Sequence, residues 1–150
     1  MKFIVTQELG RLAKWLRILG YDTAYFKESK SGSLIIQALR EDRIILTRNQ
    51  HLPKSAGLKI ILITGERPPQ QIGQLLKQLK APLNCDMMFK RCVLCNTCLR
   101  RIDKAQVKAR VPEYVFDTQE SFWTCPGCRR IYWLGTHWGN VQKALKEIGS

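Results

Sequence analysis

The sequence predicts an α/β fold, with a parallel sheet flanked by helices over residues 1–81 and a small cysteine-rich module over residues 82–150. Three observations carry this reading. Short apolar runs alternate with segments whose apolar residues recur at helical spacing, in the order β-α-β-α-β-loop-β-α. Alternation of this kind implies parallel strands joined by crossovers. Beyond Ala81-Pro82 the periodicity fades, and cysteines, arginines and aromatics take over. That later part holds two Cys-x-x-Cys pairs, the spacing of a metal-organised module.

Each element has its own signal. KFIVT (2–6) reads as a short buried strand. Residues 8–19 place Leu9, Leu12, Ala13, Leu16 and Leu19 at helical spacing, and Gly20 stops that helix because glycine turns left-handed at no cost. TAYF (23–26) is the second strand. SLIIQALRE (33–41) is the second helix, with Leu34 and Ala38 inward, Ile35 and Leu39 as further inward candidates, and the preceding serines as N-caps. RIILT (43–47) and LKIILIT (58–64) are the third and fourth strands. Pro68-Pro69 opens a helix to Leu79, since proline is tolerated in a first turn. WGNVQKALKEI (138–148) reads as a closing helix. There is no internal repeat and no low-complexity segment.

Composition narrows the function class. No apolar run approaches the ~20 residues of a membrane span, and the start, MKFIVTQELGRL, turns polar after Val5, unlike a signal peptide. A cytoplasmic location is expected. The net charge is +13. Residues 1–84 carry 14 basic and 6 acidic side chains, or +8, and residues 85–150 carry 11 and 6, or +5. Both parts are basic, and such a field favours polyanions, above all nucleic acid. The alternative is a basic protein that charge merely keeps soluble.

Two stretches of the first part are candidates for phosphate contact. Arg11, Lys14 and Arg17 fall three apart on the first helix and form a basic ridge beside the end of the first strand. In IILTRNQHL (44–52) an apolar run gives way abruptly to Thr47, Arg48 and Asn49. Ligands of open α/β sheets bind outside such carboxyl ends.

The six cysteines read as metal ligands before disulfides. Cys92-Val-Leu-Cys95 and Cys125-Pro-Gly-Cys128, with 29 residues between them, form two knuckles that supply the four-sulfur set of structural Zn2+. Cys95-Asn-Thr-Cys98 is itself a Cys-x-x-Cys, so Cys98 competes for a place; the pair Cys92 and Cys95 leaves symmetrical knuckles and is preferred. Cys85 is expected as a free, partly buried thiol. His137 is a further candidate ligand, expected instead to pack among Tyr132, Trp133 and Trp138. Arg100, Arg101, Lys104, Lys108, Arg110, Arg129 and Arg130 surround Phe122, Trp123, Tyr132 and Trp133. Basic groups with aromatics suit single-stranded RNA, although most of these aromatics are needed as core.

LGRLAKWLRILGYDTAYF (9–26), RIILTRNQHL (43–52), RCVLCN (91–96) and FWTCPGCRRIYWLGTHW (122–138) together resemble the Mut-seven C-terminal RNase family. The resemblance runs through nearly the whole chain in order. It implies a PIN-like nuclease domain (1–81), a C-terminal zinc ribbon (82–150), ribonuclease ancestry and RNA as ligand class. In that family the first strand ends in Asp four residues before the Gly of LGRLA, where this chain has Thr6. An acidic residue precedes the second helix, where this chain has Ser31, with Ser29 and Ser33 nearby. The third strand ends in Thr-Arg-Asp, where this chain reads Thr47-Arg48-Asn49.

Neutral oxygens at Thr6, Ser31 and Asn49 offer no charge to a hard cation, so Mg2+ or Mn2+ binding is not expected. Of the other acids, Glu28 precedes the serine run, and Glu41 and Asp42 end the second helix at the opposite edge. Glu8, one helical step from Thr6, is the one expected as a relic ligand, and His51 is a candidate base expected to be a bystander. The function expected is therefore an RNA-binding pseudo-nuclease, acting on structured RNA or a ribonucleoprotein such as the ribosome. Arg11, Lys14, Arg17, Arg48, Arg100, Arg101, Arg129 and Arg130 are its expected RNA contacts. An active metal-dependent ribonuclease with a rearranged site and a zinc-ribbon protein adaptor are the alternatives.

Overall fold

The structure is a computed structural model that describes residues 1–81, 83, 85–135 and 137–149. Four strands, β1 (Lys2–Val5), β2 (Asp22–Tyr25), β3 (Ile44–Thr47) and β4 (Ile60–Leu62), form one parallel sheet in the order β2-β1-β3-β4. Helices α1 (Gly10–Ile18), α2 (Ser31–Glu41) and α3 (Pro68–Leu79) connect or follow the strands. Among the described residues, no helix is long and apolar enough to cross a membrane.

The period-two alternation of strand side chains divides the core. Phe3 and Val5 of β1, with Ile44 and Leu46 of β3, pack with Leu12 and Leu16 of α1 and Ile72 and Leu75 of α3. Ile4 and Ile45, pointing the other way, meet Leu34 and Ala38 of α2. The two central strands are thus buried on both faces, as a helix-flanked parallel sheet requires.

The first helix starts later than its apolar pattern suggests. Gln7–Leu9 form a 3-10 turn and the α-helix begins at Gly10. Gly20 follows the helix with φ +95°, and a Cβ there would lie 2.1 Å from the Met87 carbonyl oxygen. Only glycine satisfies both the left-handed turn and that contact. The serines do not cap α2. Lys30 is the N-cap, with no side-chain cap bond, and Ser31 and Ser33 lie inside the first turn.

The second module contains more regular structure than its sequence pattern announced. Strands β5 (Arg100–Ile102), β6 (Phe122–Thr124) and β7 (Ile131–Tyr132) form an antiparallel sheet in that order. A short helix α4 (Glu113–Thr118) covers it, and Val107, Val115 and Phe122 form a small separate core. The last helix, α5 (His137–Gly149), packs against α3 of the first module, where Leu145 and Ile148 join the larger core.

Candidate functional site

The cysteines come together as two matching knuckles. The sulfurs of Cys92, Cys95, Cys125 and Cys128 all lie within 4.8 Å of one another. In each pair the second cysteine's N–H donates to the first sulfur, at 3.4 Å in both cases. The next residue, Asn96 or Arg129, takes the left-handed conformation, with φ 67° and 64°. Its N–H closes the turn on the carbonyl of Cys92 or Cys125, at 2.9 and 2.8 Å. Cys98 stands outside the set; it is exposed and bridges Arg91 in an antiparallel pair. The side chains of Cys85 and His137 lie outside the described residues.

The donor set fits a metal ion on chemical grounds. Four sulfurs at this spacing cannot all ionise without a cation. Burial pushes the Cys92 thiol up, but hydrogen bonds from the Tyr132 hydroxyl, 2.9 Å away, and from the Cys95 and Leu94 N–H groups hold it down to about 7. Cys95, hydrogen-bonded to Cys128 and close to the Cys92 charge, is pushed up to about 12. A divalent cation resolves this conflict by stabilising all four thiolates together. Among the described residues, these four cysteines are the one such cluster of His, Cys, Asp or Glu side chains.

A second feature lies at the carboxyl edge of the parallel sheet. A cleft of about 170 Å³ is lined by Thr6, Glu8, Glu28, Lys30, Ser31, Thr47 and Asn49, among others. Thr6, Ser31 and Asn49 therefore share one cavity, from three separate segments. A polar network occupies its floor. The Thr6 hydroxyl donates to Glu8 Oε1 at 2.6 Å, and the Arg48 N–H donates to the same oxygen at 3.0 Å. Thr47 Oγ1 lies 3.0 Å from Thr6 Oγ1 and accepts the Asn49 N–H at 3.1 Å. Asn49 Oδ1 in turn accepts the His51 N–H at 2.9 Å, forming a local turn. Burial raises the Glu8 pKa, but the bonds from Thr6, Arg48 and Thr47 outweigh it and the net shift is downward. Glu8 is thus an ionised carboxylate already engaged by protein donors.

The expected basic residues are distributed differently from their sequence pattern. Arg17 is a correction: it does not extend the ridge but is buried, at 8 % exposure. Its guanidinium donates to the carbonyls of Thr23, Val93 and Leu94 at 2.9, 2.8 and 3.1 Å. Spacing of three on a helix does not keep a residue outside when another module lands on that face. Arg11 and Lys14 are exposed, but they do not line the sheet-edge cleft. They line two grooves on the side of α1 that faces the cysteine module. The Arg48 side chain reaches the Gly65 carbonyl. In the second module Arg100, Arg101, Arg129 and Arg130 are exposed, with Arg101 stacked 5.5 Å from the Trp123 ring centre.

Sequence reasoning missed the joint between the modules. Asn96 donates to Asp22 Oδ1 at 2.6 Å and accepts the Thr23 N–H at 2.9 Å. Arg43 pairs with the same Asp22 oxygen at 2.8 Å. Arg91 donates to the Gly20 carbonyl at 3.3 Å. The signal was present: Arg17, Gly20, Asp22, Arg43, Arg91 and Asn96 all fall in the quoted motifs.

Comparison with known proteins agrees with this geometry. No curated protein and no solved structure matches the chain. The family described as Mut7-C RNAse domain matches residues 1–145. A helix-flanked parallel sheet, a polar cleft at its carboxyl edge and a four-cysteine cluster thus lie inside one family match, and the chain belongs to the Mut7-C RNAse domain family.

Proposed function

We propose that this protein binds RNA and that its nuclease site is degenerate. Residues 1–81 are then a PIN-like domain and residues 82–150 a zinc ribbon with its C-terminal helix. Zn2+ is the ion assigned to Cys92, Cys95, Cys125 and Cys128, because four thiolates in two knuckles suit its tetrahedral preference. The partner class is structured RNA or a ribonucleoprotein, the ribosome included, contacted through exposed basic residues that contribute to the net charge of +13.

One observation carries the loss of catalysis. The cleft at the strand ends presents Thr6, Ser31 and Asn49, and Oε1 of the neighbouring carboxylate, Glu8, accepts hydrogen bonds from Thr6 and the Arg48 N–H. Hard divalent cations need carboxylate charge as well as oxygen atoms. Two hydroxyls, an amide and one partly engaged carboxylate supply too little of it.

A second reading draws on the same cleft. Glu8 and Glu28 both line it, so an active ribonuclease whose acids have moved is the competing function. Incubating labelled RNA with the purified protein and Mg2+ or Mn2+ separates the two. The degenerate site predicts binding that weakens with salt and cleavage no faster than buffer. Metal-dependent cleavage that disappears in Glu8→Gln overturns it in favour of the second reading.

A further inference from the structure

Arg11 and Lys14 stand on the crest between two grooves, and both grooves run along the joint between α1 and the cysteine module. One, about 670 Å³ in volume, is walled by Trp15, Phe89, Tyr132 and Trp133, with Arg11 and Lys14 at its rim. The other, about 510 Å³, adds Lys27 to the same two basic residues. Val93, from the first knuckle, borders both. The sheet-edge cleft differs in charge: it sets two carboxylates, Glu8 and Glu28, against the single ammonium of Lys30.

We infer that the seam between α1 and the cysteine module is a binding site for an unpaired RNA segment, with phosphates along Arg11, Lys14 and Lys27 and bases in the aromatic groove. The inference rests on the RNA-binding reading above and adds where and how the strand is held. A single-stranded nucleotide has an anionic side and a flat apolar side, and the seam offers a matching pair of surfaces on either side of one basic crest. Aromatic walls stack any base, whereas an aliphatic peptide groove has no need of them. The walls are also pre-positioned. The Tyr132 hydroxyl is anchored 2.9 Å from Cys92 Sγ, and Trp133 packs edge-on against the buried Phe122, with ring centres 6.4 Å apart. Both rings remain half-buried rather than enclosed. Arg17, which ties Val93 and Leu94 to α1, is a positioning residue that keeps the two sides of the seam together.

The test compares two fluorescently labelled decamers by anisotropy: oligoadenylate, and the same ribose-phosphate chain without bases. The full-length protein should bind oligoadenylate on the order of tenfold tighter or more, the scale of one stacked base. Arg11→Ala with Lys14→Ala should weaken both decamers and lower the salt slope by about 0.7 per lost phosphate contact. Lys54→Ala with Lys59→Ala removes the same charge elsewhere and should change neither. Trp133→Leu should erase the preference for bases while sparing the abasic chain.

Ultraviolet crosslinking of oligoadenylate to the unmodified protein, mapped by mass spectrometry, should mark Trp15, Tyr132 or Trp133, and needs no variant to fold. Equal affinity for the two decamers overturns the stacking site but leaves RNA binding intact. So do crosslinks confined to the sheet-edge cleft. Binding of neither decamer overturns the RNA reading itself, and polyglutamate bound at the seam in their place points to an acidic protein partner.

Discussion

Asn96 Nδ2 donates to Asp22 Oδ1 at 2.6 Å, so the residue that closes the first cysteine knuckle is also the residue that grips the edge strand of the parallel sheet. Knuckle geometry and module docking are therefore one event. The backbone at Asn96 is left-handed, with φ 67°. Asparagine tolerates that conformation better than other residues with a Cβ.

Asn96→Ala removes the bonds to Asp22 and to the Thr23 N–H and adds left-handed strain. The expected loss is about 2–4 kcal/mol of unfolding free energy. Asn96→Gly keeps the backbone and should lose about 1 kcal/mol less. Urea titration of both variants checks this; equal losses would show that the backbone conformation contributes nothing.

Asp22 also makes stability depend on acid. Burial raises its pKa, but bonds from Asn96 and Arg43 prevail and hold it below its ordinary 3.8. The folded chain then takes up this proton less readily than the unfolded chain. Its stabilisation is complete above the ordinary value and is lost as the pH falls through the lower folded one. Thermal melts from pH 7 to pH 3 should show the unmodified protein losing more stability than Asp22→Asn at the acid end. Parallel curves would remove Asp22 from the account.

Arg17 and Arg11 should behave oppositely although they share one helix. Arg17→Ala leaves the Thr23, Val93 and Leu94 carbonyls without their donor and opens a void, at a cost of about 3 kcal/mol. Arg11→Ala, on an exposed face, should stay within about 0.5 kcal/mol. Denaturant midpoints decide it, and limited proteolysis should cut Arg17→Ala faster between the modules.

The metal centre has its own signature. Elemental analysis of protein purified without chelator should find one zinc per chain. Cys125→Ser should release it and unfold the second module, whose core is small. Cys98→Ser should retain it. Zinc lost from Cys98→Ser instead would mean that the ligand set differs from the clustered four.

In the sheet-edge cleft, Thr6→Asp places a second carboxylate where a hydroxyl now donates to Glu8 at 2.6 Å. Repulsion between the two should raise the Glu8 pKa. The triple change Thr6→Asp, Ser31→Asp, Asn49→Asp should bind Mn2+ measurably by calorimetry, where the unmodified chain does not. Equal Mn2+ binding by both proteins would show that Glu8 and Glu28 already suffice.

The sequence by itself determined the sheet, its flanking helices and the sulfur cluster. Those rest on local regularities: short apolar runs in KFIVT and RIILT, helical spacing of Leu12 and Leu16, and two cysteines per knuckle. It also named Thr6, Ser31 and Asn49 as one set, since motif order carries positions that geometry later gathers in one cleft. Tertiary structure alone decided which basic residues are free. Arg11, Lys14 and Arg17 have the same spacing and chemistry, yet the knuckle carbonyls of Val93 and Leu94 bury only the last. It alone made Asp22 the anchor of Asn96 and Arg43, and sent α5 back onto α3. The reason is physical. A helical or strand period is set by backbone geometry within a few residues, whereas the contacts of Arg17 with Val93 and of Asp22 with Asn96 join residues some 75 positions apart in the chain, and their energy depends on which surfaces the two modules bring together.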